Sequence, residues 1–134
     1  IENKIGSIIV GKNKGWKDGI NIGNKNNQNF VNIPHAKLIK KISYKAKMVG
    51  IEVIETEESY TSKIDHLAFE EMCKQEKYLG KRLKRGLFQS SIGKLINADV
   101  NGAIGIARKV FGDSVLRQII DSGLAYNPIK INIA

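Results

Sequence analysis

The stretch "AKLIKKISYKAKMVGIEVIETEE", residues 36–58, decides how the first half of the chain is built. Leu38, Ile39, Ile42, Ala46 and Val49 recur at helical spacing, and Gly50 ends the run where a left-handed C-terminal residue belongs. "IEVI" (51–54) then switches to a β-branched pattern, which predicts a strand. Upstream, "IGSIIV" (5–10) is a second apolar β-branched run, bounded by Gly11 and the polar loop "GKNKGWKDG"; "NFVNIP" (29–34) reads as a further short extended piece, with Pro34 at the helix entry. Strand, helix and strand in this order predict a crossover with the two strands parallel. Their C-terminal ends then share one edge, so Gly11 and Lys12 are expected to emerge beside Glu55, Glu57 and Glu58. In open α/β sheets that edge is where ligands and catalytic groups collect.

Charge is sorted along the chain. The 134 residues carry 22 Lys and Arg against 13 Asp and Glu, a formal net charge of +9. Between Glu52 and Glu71 the acids dominate, whereas "KYLGKRLKRGLFQSSIGK" (77–94) holds Lys77, Lys81, Arg82, Lys84, Arg85 and Lys94 with no acid. A basic excess of this kind makes a polyanion the leading partner, through counterion release from phosphates. Lys12, Lys14 and Lys17 in the first loop are candidates for the same contact, although that loop lacks the spacing of a phosphate-binding glycine motif.

At 42% hydrophobic and 26% charged, the composition is that of one soluble globular domain. No apolar run approaches the roughly 18 residues that a membrane span needs, and no secretory h-region is present, so a cytoplasmic location is expected. Cys73 is the single cysteine, and with His35 and His66 as the only histidines no zinc-ligand spacing exists. Residues 61–97 show no clean period and predict an irregular insertion with one or two hairpins. "NADVNGAIGIARKVFG" (97–112) predicts a helix with Val100, Ala103, Ile104, Ala107, Val110 and Phe111 on its apolar face and Asp99 in the first turn or capping it. Residues 113–134 carry little signal. Carboxylates at a strand edge combined with one at a helix start are part of what two-metal phosphodiester hydrolysis requires, because Mg²⁺ and Mn²⁺ prefer oxygen ligands.

Four blocks, "NNQNFVNIPHAKLI", "YKAKMVGIEVIETEESYTSK", "EKYLGKRLKRGLF" and "NADVNGAIGIARKVF", together resemble the C-terminal half of the TnpB (OrfB) family of insertion-sequence proteins, relatives of type V CRISPR effectors. The resemblance implies an α/β fold: part of an RNase H-like, RuvC-type sheet over residues 1–60 and 96–112, a zinc-ribbon-like insertion over 61–95, and a C-terminal tail over 113–134. It implies an RNA-guided DNA endonuclease, with DNA and guide RNA as partners and Mg²⁺ or Mn²⁺ as cofactor. Asp99 in "ADVNGA" matches the family's final-helix Asp, and Glu58, with Glu57 as alternative, matches a displaced catalytic Glu whose usual place is held by Gly11. The family's first-strand Asp would lie upstream of Ile1, so two of three metal ligands are expected here, with a missing segment or partner chain supplying the third. Ile64 follows "TSK" where many members carry Cys, so structural zinc is not expected, and hairpin pairing or loose order is expected in its place. An exposed sheet edge would allow self-association.

Overall fold

A computed structural model describes residues 4–12 and 35–127. The chain divides into two compact units, Ile1–Glu57 and Glu58–Ala134. Lys14, Lys17, Trp16 and the "NFVNIP" segment lie outside the described residues, as does the chain beyond Asn127.

In the first unit, strand β1 (Ser7–Lys12) and strand β2 (Glu52–Glu57) pair in parallel, and helix α1 (His35–Met48) lies between them in sequence. The register runs from Ser7 opposite Glu52 to Lys12 opposite Glu57. Ile39 and Ala46 are the buried residues of α1, and the helix packs on β2. Its end is a Schellman motif: Gly50, at φ 73°, donates its N–H to the Lys47 carbonyl while Ile51 N–H reaches the Ala46 carbonyl at 2.9 Å. The chain is thereby turned straight into β2. Both strands run further than the apolar pattern predicted, so Glu55 and Glu57 stand within β2 rather than beyond its end. Charge is tolerated there because both are exposed and Lys12 lies across from them.

In the second unit, a 3₁₀ turn (His66–Ala68) precedes a three-stranded antiparallel meander of β3 (Lys81–Lys84), β4 (Leu87–Gln89) and β5 (Leu95–Asn97). Helices α2 (Ala98–Phe111) and α3 (Asp113–Asp121) follow. Gly86 (φ 80°) and Gly93 (φ 79°) supply the left-handed residues of the two tight connections. The described strands thus form two separate sheets, one parallel pair and one antiparallel trio. Leu67, Phe88, Ile96, Ala98, Ile104, Leu116 and Ala125 make one buried core. The segment expected as an insertion therefore shares its core with α2, and residues 113–127 contribute Leu116 and Ala125 to it.

The inward face of α2 differs from the expected apolar stripe. Ala98, Asn101, Ile104, Gly105 and Arg108 are buried, while Ala103 and Phe111 are exposed. The two polar side chains are tolerated because they serve backbone carbonyls of residues 64–70. Asn101 Nδ2 donates to Ile64 O at 2.9 Å, and Arg108 Nη1 donates to Glu70 O at 2.6 Å. Arg108 also pairs through Nε with Asp113 Oδ1 at 2.5 Å, which holds that carboxyl below the usual carboxylate range.

Buried carboxylates tie the loop 61–80 to the meander. Asp65 Oδ2 accepts from Ser90 Oγ, Ser91 N and Ser91 Oγ, and its Oδ1 caps the 3₁₀ turn by accepting from Ala68 N. Glu70 accepts from Asp65 N at 2.6 Å and Leu79 N at 2.8 Å. The hairpin pairing expected of the ribbon-like segment is present, with this hydrogen-bonded clip beside it. Among the described residues no helix is long and apolar enough to cross a membrane.

Candidate nucleic-acid interface

The basic run of the sequence becomes an edge strand. All four residues of β3 are exposed, and β4 covers one side only, so among the described residues the other backbone edge is unpaired. Lys81, Arg82 and Lys84 lie on this strand, Arg85 in the turn after it, and Lys77 just before it; all are exposed. None of the five forms an ion pair among the described residues. Their charge is therefore uncompensated, which favours a polyanion and disfavours edge-to-edge pairing of two such strands.

The residues leading into β3 and those at its start are divided between two clefts. Tyr78, Gly80 and Arg82 line one cleft, of about 330 Å³, with Ser62, Lys63 and Phe88. Leu79 and Lys81 line another, of about 300 Å³, with Gln89, Ser90, Ser91 and Gly93. A bulge between Arg82 and Lys84 breaks the register, so Lys84 stands opposite Leu87.

Helix α1 carries a second basic surface that the reading of sequence passed over. Lys37, Lys40, Lys41, Lys45 and Lys47 are exposed on a 14-residue helix with no acid, and Tyr44 among them is 68% exposed. Lys45 and Lys47 also suit the helix C-terminus. The signal available was the charge run itself, read along the face opposite Ile39 and Ala46. Lys12 differs from these residues, because its Nζ lies 3.2 Å from Glu55 Oε2 in an exposed ion pair.

The candidate metal ligands divide between the units. Glu57 ends β2 opposite Lys12. Glu58 opens the second unit, where its carbonyl accepts from Thr61 Oγ1 at 2.9 Å. Asp99 is exposed in the first turn of α2, but the cap is Asn97, whose Oδ1 accepts from Asp99 N at 2.8 Å and Val100 N at 3.2 Å. The carboxylates of Glu58 and Asp99 thus remain without hydrogen bonds among the described residues. As hard oxygen donors they suit Mg²⁺ or Mn²⁺ in type, but not in number: among the described residues no group of three or more His, Cys, Asp or Glu side chains gathers as a metal site. Cys73 is a free thiol that accepts a hydrogen bond from Gln75.

The chain is a mixed α/β protein with a basic edge strand. Residues 35–106 match the family "Cas12f1-like, TNB domain", and the chain belongs to that family, within the TnpB- and Cas12-related group. No curated protein and no solved structure matches it.

Proposed function

We propose that this chain is the nucleic-acid-binding and C-terminal RuvC-like portion of an RNA-guided DNA endonuclease, its parallel β1–α1–β2 unit forming part of an RNase H-like sheet. The observation that carries the reading is the exposed, uncompensated basic strand β3 in a chain whose family is Cas12f1-like. Lys77, Lys81, Arg82, Lys84 and Arg85 would contact phosphates of the guide heteroduplex or the target strand. Glu58, or Glu57 in its place, and Asp99 would hold Mg²⁺ or Mn²⁺ in the intact protein, with the remaining ligand supplied from outside these residues. When bound, such ions stabilise charge on the attacking and leaving oxygens of a phosphodiester. The chain alone then binds nucleic acid weakly and without sequence preference, and cuts little or not at all.

The experiment is the salt dependence of binding to a labelled single strand. Neutralising five phosphates predicts a slope of log K against log salt of roughly −3 to −4. A flat plot overturns the reading. A non-catalytic nucleic-acid-binding remnant is the second reading, favoured by the absence of a gathered carboxylate set among the described residues. Titration calorimetry with Mn²⁺ on this chain and on Asp99→Ala separates the two, since only a chain that keeps its metal ligands loses binding heat on that exchange.

A further inference from the structure

We infer that the cleft between Tyr78, Lys63 and Arg82 is a stacking pocket for one unpaired nucleobase of a single strand. The inference rests on the nucleic-acid-binding reading and deepens it by naming the ligand and the residue that grips it.

The cleft is concave and small. At about 330 Å³ it lies at the lower end of ligand pockets, suited to one planar group rather than an extended ligand. Its floor is Phe88, 1% exposed, in the core of the second unit. Gly80 keeps the floor close to the backbone: a Cβ at this position would overlap Phe88 Cζ and fall within 2.5 Å of Cε1. Tyr78, just upstream of β3, supplies a half-buried ring to the lining, and Arg82 joins it from the strand.

The electrostatics select the occupant. Two cations, Lys63 and Arg82, line the cleft and no carboxylate does. Lys63 Nζ lies 5.9 Å from the centre of the Tyr78 ring, at the outer reach of a cation–π contact. Its ammonium lies over that ring on an exposed side chain, which can move off the ring to meet a phosphate as a base takes its place. An aromatic wall with cations at its margin is how single strands are held without sequence preference, one base on the ring and its phosphate on the charge. A duplex cannot use the pocket, because both faces of each paired base are already covered by neighbours.

The test compares two single strands of equal length and equal phosphate number, an oligothymidylate and a fully abasic strand, by fluorescence anisotropy with the full chain at low salt. Wild type should bind the thymidylate more tightly. Tyr78→Ala should weaken thymidylate binding roughly 5- to 150-fold and leave the abasic strand unaffected. Tyr78→Phe should keep the preference, which separates loss of stacking from loss of fold. Arg82→Ala should weaken both strands. Equal binding of the two strands by wild type, or an equal effect of Tyr78→Ala on both, overturns the pocket and leaves the basic surface standing. No binding of either strand overturns the basic surface, and the pocket with it.

Discussion

Ser91 donates twice to a single oxygen of Asp65, through its N–H at 2.7 Å and its hydroxyl at 2.9 Å, across 26 residues of chain. Ser90 adds a third bond to that oxygen. The acceptor is completely buried and Ser90 nearly so, so the Ser90 hydroxyl has no water to turn to if the carboxylate is removed, whereas Ser91 is exposed. Asp65→Ala should therefore destabilise the second unit by about 2–5 kcal/mol, the range for breaking a buried, charge-assisted network. Asp65→Asn should recover part of the loss, because the amide oxygen still accepts while its NH₂ cannot. Thermal melting by circular dichroism orders the three proteins. The same tie predicts that a chelator leaves the melting midpoint unchanged; a fall of several degrees would show that a metal, rather than the carboxylate, joins loop to hairpin.

The legibility of these elements in sequence follows the range of the forces that make them. The parallel pair could be read because Ile8 to Val10 and Val53 to Ile54 are β-branched runs and Gly50 marks the turn between helix and strand. Strand β3 could not, because "KRLK" is exposed throughout and is held by pairing with β4 alone. The face of α2 was misread because Asn101 and Arg108 point inward to satisfy carbonyls that a helical wheel cannot see. Helix α3 left a signal in Leu116, Ile119 and Ile120, which the more polar tail around it concealed. The basic run was plain from composition, and the strand it forms is exposed along its length. Whether Asp99 caps α2 or stands in its first turn was undecided locally; Asn97 Oδ1 takes the cap. A metal centre depends on convergence of distant elements, about which local spacing is silent.

His66 makes stability depend on pH. It is fully buried, and desolvation, with a smaller contribution from Arg108, pulls its pKa below the usual imidazole value; the bond to Thr61 O and the nearby Asp65 and Glu70 oppose this. Because Thr61 O can only accept, Nε2 carries the proton and Nδ1 is left bare. With the folded pKa below the unfolded 6.5, the contribution is full above that value and is lost as pH falls through the folded pKa. The unfolding free energy from urea titration should drop between pH 7.5 and 5, at up to about 1.4 kcal/mol per pH unit. His66→Gln should flatten that slope, and an unchanged slope would assign it to other groups. Asp113, whose pKa Arg108 lowers from 3.8, adds its own loss only in more acidic solution.

At the start of α2, two neighbouring polar residues should behave differently. Asn97→Ala removes the acceptor for two backbone N–H groups and should cost about 0.5–2 kcal/mol. Asp99→Ala removes only an exposed charge near the helix dipole, worth about 0.3–1 kcal/mol. If Asp99 is a metal ligand, its exchange should also abolish the heat of Mn²⁺ binding in titration calorimetry, which Asn97→Ala should leave largely intact in the folded protein. Equal destabilisation by both variants would return Asp99 to the cap.

Two glycines in α2 offer the sharpest comparison, because both occupy a helix interior and helix propensity alone would treat them alike. A Cβ on Gly105 would overlap His66 Nε2 and stand 2.7 Å from Cε1 and 2.9 Å from Thr61 Cβ. His66 is bonded to the Thr61 carbonyl and cannot swing away without leaving a buried polar group unpaired. A Cβ on Gly102 would meet nothing within 4 Å. Gly102→Ala should therefore gain up to about 1 kcal/mol from helix propensity. In Gly105→Ala the same gain is outweighed by overpacking of about 1–3 kcal/mol, with the added loss of the His66 bond. Urea unfolding should move the two midpoints in opposite directions. A stabilised Gly105→Ala would mean that α2 does not lie against His66 and Thr61, and that the clip around residues 61–70 is held some other way.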